Sequence, residues 1–67
     1  MAPRSARNKL RYQVLMAAKS IDGCLAHLRR ADEQAGTQHP VVREHMPAVV
    51  SLLVAVREML IRFRAAL

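Results

Sequence analysis

From Leu10 onward the apolar and small residues keep a strict spacing. Leu10, Val14, Ala17, Ile21, Cys24, Leu28, Ala31 and Ala35 are separated alternately by four and three positions. That is the heptad seam of an amphipathic helix. Ala18 and Leu25 widen the stripe on one side. A second run repeats the pattern with Val42, Met46, Val49, Leu53, Val56, Leu60, Phe63 and Leu67. Between the runs stands "GTQHP", with Gly36 in the role of helix-stopping glycine and Pro40 suited to a helix start. Two matched seams joined by a short turn predict an all-α chain folded as an antiparallel two-helix hairpin.

The predicted boundaries are a basic flexible arm over 1–8 and a hairpin domain over 9–67. Within the domain, a helix runs from about 9 to 35, a turn over 36–39 and a helix from about 40 to 66. Pro40 can open a short extra helical turn over 40–46. Pro47 predicts a break or kink, because proline has no N–H and its ring crowds the preceding turn.

The segment "PAVVSLLVAV", residues 47–56, changes the picture. It carries one hydroxyl and no charge. At 100° per residue, Val50, Val54 and Ile61 lie past Leu53 and Leu60 on one flank, and Leu52 and Met59 lie on the other. A single partner helix covers one narrow seam, and here apolar groups occupy more than half the circumference. The run from 46 to 56 is too short to span a bilayer, which takes about 20 residues. The economical cover is a second copy, giving a homodimeric four-helix bundle. The residues expected at that interface are Val49, Val50, Leu53, Val54, Val56, Leu60, Ile61 and Phe63. Another protein could meet the same physical need.

Size points the same way. The chain has 67 residues, and its single cysteine, Cys24, allows no intrachain disulfide. So small a domain needs a staple, and self-association is the one left. A lone thiol suits a reducing, cytoplasmic setting, where Cys24 reads first as a small core hydrophobe. No clean secretory signal follows the basic start.

The net charge of +6 and a pI near 11.2 suggest an anionic partner or a solubilising surface. On the first helix Arg11, Lys19, Arg29 and Arg30, with Tyr12 among them, lie away from the seam. Cations beside an aromatic suit phosphate contact with base stacking, so this outer face is the candidate nucleic-acid surface. Its alternative is a solvated face with local pairs such as Lys19 with Asp22.

The architecture is similar to that of the small plasmid-encoded RNA-binding regulators that dimerise from two-helix hairpins. "ADEQA", residues 31–35, resembles the turn of that family. The likeness covers five residues and a shape. It carries across no RNA-contacting residue, and those regulators are acidic where this chain is basic.

No catalytic, metal or cofactor constellation stands out. His27, His39 and His45 lack ligand spacing, since His39 and His45 are six apart. Asp32 and Glu33 adjoin at a helix end and read as solvated. Met46 and Met59 read as gap fillers, and Met16, near Tyr12, as a candidate exposed contact. The expected function is therefore that of a non-enzymatic, oligomeric helical module acting by macromolecular binding, foremost a protein-interaction or adaptor role. The alternative is a basic nucleic-acid-binding regulator or architectural protein.

Overall fold

A computed structural model describes residues 2–67, with side chains from Ala6 onward. It holds two helices, α1 (Ala2–Ala35) and α2 (Pro40–Ala66), and no strand among the described residues. They pack antiparallel. Arg7 Nε donates to the Leu67 main-chain oxygen at the open end, and Arg57 meets Asp22 midway.

The turn follows from its residues. Gly36 adopts a φ of 54°, the left-handed region that a side chain resists, and its N–H closes onto the Asp32 carbonyl at 3.1 Å. Gln38 N–H then bonds the Ala35 carbonyl at 3.1 Å. Pro40 occupies the first turn of α2, where a missing N–H is harmless, and the His39 carbonyl accepts from Val42 N–H at 3.1 Å.

Two boundaries differ from the sequence expectation. The expected arm over 1–8 is helical from Ala2, since nothing between Ala2 and Leu10 breaks a helix except Pro3, which falls in the first turn. Of the break or kink expected at Pro47, the break is absent, and α2 runs through Pro47 as one helix. Proline there removes one backbone bond near the start of a long helix, and the remaining turns hold the element together.

The side of each helix that meets the other is also shifted. The half-buried or buried positions of α1 include Arg11, Val14, Ala18, Ile21, Leu25 and Leu28. Those of α2 are Val42, Met46, Val50, Leu53, Arg57, Leu60 and Arg64, with Leu67 just beyond its end. The expected seams therefore hold at Val14, Ile21, Leu28, Ala35, Val42, Met46, Leu53, Leu60 and Leu67. At the intervening positions the next residue along takes over: Arg11 for Leu10, Ala18 for Ala17, Leu25 for Cys24, Val50 for Val49, Arg57 for Val56 and Arg64 for Phe63. Cys24, expected in the core, is exposed.

The result is a rod one layer thick, 57 × 16 × 11 Å, with a radius of gyration of 16.2 Å. A compact domain of this length has a radius of about 11 Å. Among the described residues only Ala18 and Ala35 are buried, at 7% and 6% exposure. Both are alanines, whose small side chains let the two backbones come close. No helix is long and apolar enough to cross a membrane among the described residues.

Candidate functional surfaces

A groove between the helices tells the two sides of the rod apart. Ala31 of α1 shares it with Val41, Val42, His45 and Val49 of α2. Residues seven apart share a helix face. From Ala31 that face continues through Cys24, Ala17 and Leu10, and from Val49 through Val56 and Phe63. All seven are exposed. Leu52 and Met59 border the stripe on α2 and are more open still, at 66% and 63%. Seven of the sixteen positions read from the sequence as inner seams thus stand side by side on one outer face, while the other nine face the partner helix.

The opposite side is mixed. Leu25, Arg29 and Asp32 of α1 line a second groove with Met46, Val50 and Val54 of α2. Near the turn, Glu33, Arg43 and Pro47 continue that side. Ile61, seven residues beyond Val54, falls on it too.

The eight residues expected at an oligomer interface are therefore divided. Val50, Leu53 and Leu60 are half-buried in the hairpin's own seam. Val49, Val56 and Phe63 lie on the apolar face, and Val54 and Ile61 on the mixed side. Periodicity overlooked that Leu10, Ala17, Cys24 and Ala31 belong with the exposed set. The signal was there, because Ala18 and Leu25 offered a second seam one residue along.

The expected anionic-partner surface is also dispersed. Arg11 turns inward and is half-buried, while Tyr12, Lys19, Arg29 and Arg30 are exposed. Arg30 Nη1 and His27 Nδ1 are 3.1 Å apart. Lys19, Arg29 and Arg30 share their stretch of α1 with Asp22, Asp32 and Glu33, so that stretch carries no net charge. Asp22 pairs across the hairpin with Arg57 rather than along the helix with Lys19. Tyr12 and Met16 remain open together, four residues apart on the outer side of α1.

No group of three or more His, Cys, Asp or Glu side chains with metal-binding proximity occurs among the described residues. Compared with protein-family models, curated proteins and solved structures, the chain matches none.

Proposed function

We propose that this chain is a non-enzymatic, self-associating helical module whose work is macromolecular binding, foremost to another protein in a regulatory or adaptor role in the cytoplasm. Two hairpins pair through their apolar faces as a homodimeric four-helix bundle. The observation that carries this reading is the exposed face itself, where Leu10, Val56 and Phe63 are turned outward while their neighbours Arg11, Arg57 and Arg64 take the inner positions.

Surface area supports it. A compact monomer of 7.5 kDa exposes about 4,200 Å². The hairpin exposes 5500 Å². The surplus exceeds the roughly 800 Å² that each partner buries in a specific interface. The seam within the hairpin, by contrast, is lined partly by alanine and arginine. A second copy supplies the aliphatic core that one chain lacks.

Light scattering at micromolar concentration tests the assembly, and the expected mass is that of two chains. Leu52→Glu should return it to one chain, since a charge buried without a partner costs several kcal/mol. Ser51→Glu, on the polar side of α2, should leave the dimer intact. Leu52 is exposed in the single hairpin, so the substitution tests pairing and not helix formation. A wild-type chain that stays monomeric and folded rules the reading out.

A further inference from the structure

The rod is electrically lopsided. Arg4, Arg7, Lys9 and Arg11 near the start of α1, with Arg62 and Arg64 near the end of α2, are six cations, and no acidic side chain lies within residues 1–18 or 59–67. The remaining stretch holds Lys19, Arg29, Arg30, Arg43 and Arg57 against Asp22, Asp32, Glu33, Glu44 and Glu58, and is neutral. The antiparallel packing brings the two basic segments together at the open end, so the whole net charge of +6 sits toward one tip of a 57 Å rod. The start of α1 and the end of α2 contribute opposite helix-end partial charges there, which leaves the side chains to set the sign.

The placement of these cations is as informative as their number. The inner heptad positions of α1 continue from Val14 back through Arg11 to Arg7. Those of α2 continue from Leu60 to Arg64. Arg11 and Arg64 are half-buried in the seam, and the buried Nε of Arg64 has no hydrogen-bond partner among the described residues. Arg7 is tied to the Leu67 main-chain oxygen. Farther along the same seam, Arg57 has Asp22 as its counterion. Neither basic segment offers a matching carboxylate side chain at the tip. Arg7, Arg11 and Arg64 stand where hydrophobic residues would ordinarily close the hairpin.

We propose that the open end of the hairpin is a nucleic-acid contact surface that grips the phosphodiester backbone. Five of its six cations are arginine, whose planar fork suits two oxygens of one phosphate, whereas a lysine acts as a point charge. Residues 4 to 11 span about 10 Å of helix at 1.5 Å per residue. Strand phosphates recur about every 3.4 Å of duplex axis, so a patch of that size meets more than one. The grip is sequence-independent, as backbone contacts are. A membrane surface fits less well. An interfacial helix lies flat, with cations flanking one apolar stripe, and here the cations crown a tip, with Arg11 and Arg64 set into the seam. The anionic-partner surface thus moves from the outer face of α1 to the open end, and it does not depend on dimer formation.

Two variant sets of equal charge test it. One replaces Arg4, Arg7, Lys9 and Arg62 with Gln, and the other replaces Lys19, Arg29, Arg30 and Arg43 with Gln. Both lower the charge by four, and both spare the half-buried Arg11 and Arg64. Each is titrated against a short labelled DNA duplex, a single-stranded RNA, and phosphatidylcholine vesicles containing phosphatidylserine, with light scattering and circular dichroism on the same samples. The wild type should bind nucleic acid with a steep salt dependence between about 50 and 200 mM. The tip set should bind at least tenfold more weakly and lose up to about 3.6 units of the logarithmic salt slope on duplex DNA, at about 0.9 for each of four phosphate contacts. The other set should stay within about threefold of wild type, and DNA or RNA should raise the melting temperature of the wild type but not of the tip set. Equal losses in the two sets would reduce the effect to net charge and overturn the proposal. Absence of nucleic-acid binding at low salt, or uptake by vesicles alone, overturns it as well. A tip set that has lost helicity is replaced by the single variants Lys9→Gln and Arg62→Gln, each expected to lower the slope by about 1.

Discussion

Arg57 Nε donates to Asp22 Oδ1 at 2.6 Å, and Arg57 Nη2 reaches Asp22 Oδ2 at 3.5 Å, joining the two helices across 35 residues of chain. The two oxygens and the guanidinium fork hold one helix in register against the other. The pair is open to water, with side chains 38% and 51% exposed, so its contribution to stability is small. Asp22→Asn should lower stability by about 0.5 kcal/mol or less, a fall in melting temperature of a few degrees for so short a chain. High salt should shrink the difference. Thermal melts at two ionic strengths measure it, and a loss several times larger means that the pair holds more than register.

The two glycines should respond oppositely to the same substitution. Gly23 lies inside α1, and nothing stands within 4 Å of the place a methyl group would take, so Gly23→Ala should stabilise the helix by about 0.5–1 kcal/mol. Gly36 also has open space, but its φ of 54° is strained for any residue with a Cβ. Gly36→Ala should therefore cost about 1 kcal/mol. Melting curves for the two variants decide it. A stabilising Gly36→Ala contradicts a left-handed residue at that turn.

These contrasts bear on how much of the fold was legible in the sequence. The four-three spacing and Gly36 placed both helices and the turn, because period and breaker chemistry are local. The choice between two seams one residue apart was not legible. Val14, Ile21 and Leu28 belong to both, and the decision rests on pairs such as Cys24 or Leu25, and Val56 or Arg57. Hydrophobicity favours Val56, yet the hairpin uses Arg57, whose long stem packs on the seam while its head meets Asp22. That pairing depends on a residue 35 positions away, which no local pattern reports. The basic tip was missed for a related reason. Arg4 through Arg11 and Arg62 with Arg64 are far apart in sequence, and only the antiparallel return of the chain unites them.

Cys24 provides a chemical probe of the proposed pairing. Its thiol is exposed on the single hairpin and lies on the apolar face. A maleimide should label it quickly in dilute solution and progressively more slowly as concentration rises through the dimerisation range. In Leu52→Glu the rate should stay fast at every concentration. A wild-type rate that is independent of concentration, in a sample that scatters as a dimer, places the interface on the mixed side with Val54 and Ile61 instead.

Charge also decides which way two hairpins pair. Face-to-face pairing allows the open ends to lie together or at opposite ends of the bundle. Together, they would crowd the cations of two tips, twice the +6 of one chain, into one region with no acidic side chain to offset them. Opposed, they stand apart by a distance approaching the 57 Å length of the rod, several times the Debye length of about 8 Å at physiological salt. The neutral remainder of the chain opposes neither arrangement, so the tips decide, and the opposed dimer should prevail. Spin labels at Asn8→Cys, with Cys24→Ser to remove the native thiol, report the choice directly, because Asn8 is exposed near the open end of α1. Dipolar spectroscopy should return a single long distance of about 40 Å, the 57 Å length of the rod less about 9 Å at each end. A short distance signifies open ends side by side, and the repulsion argument then fails. Substituting Arg4, Arg7, Lys9 and Arg62 with Gln removes most of that repulsion. In that background a short-distance population should grow, and in the wild type high salt should act in the same direction.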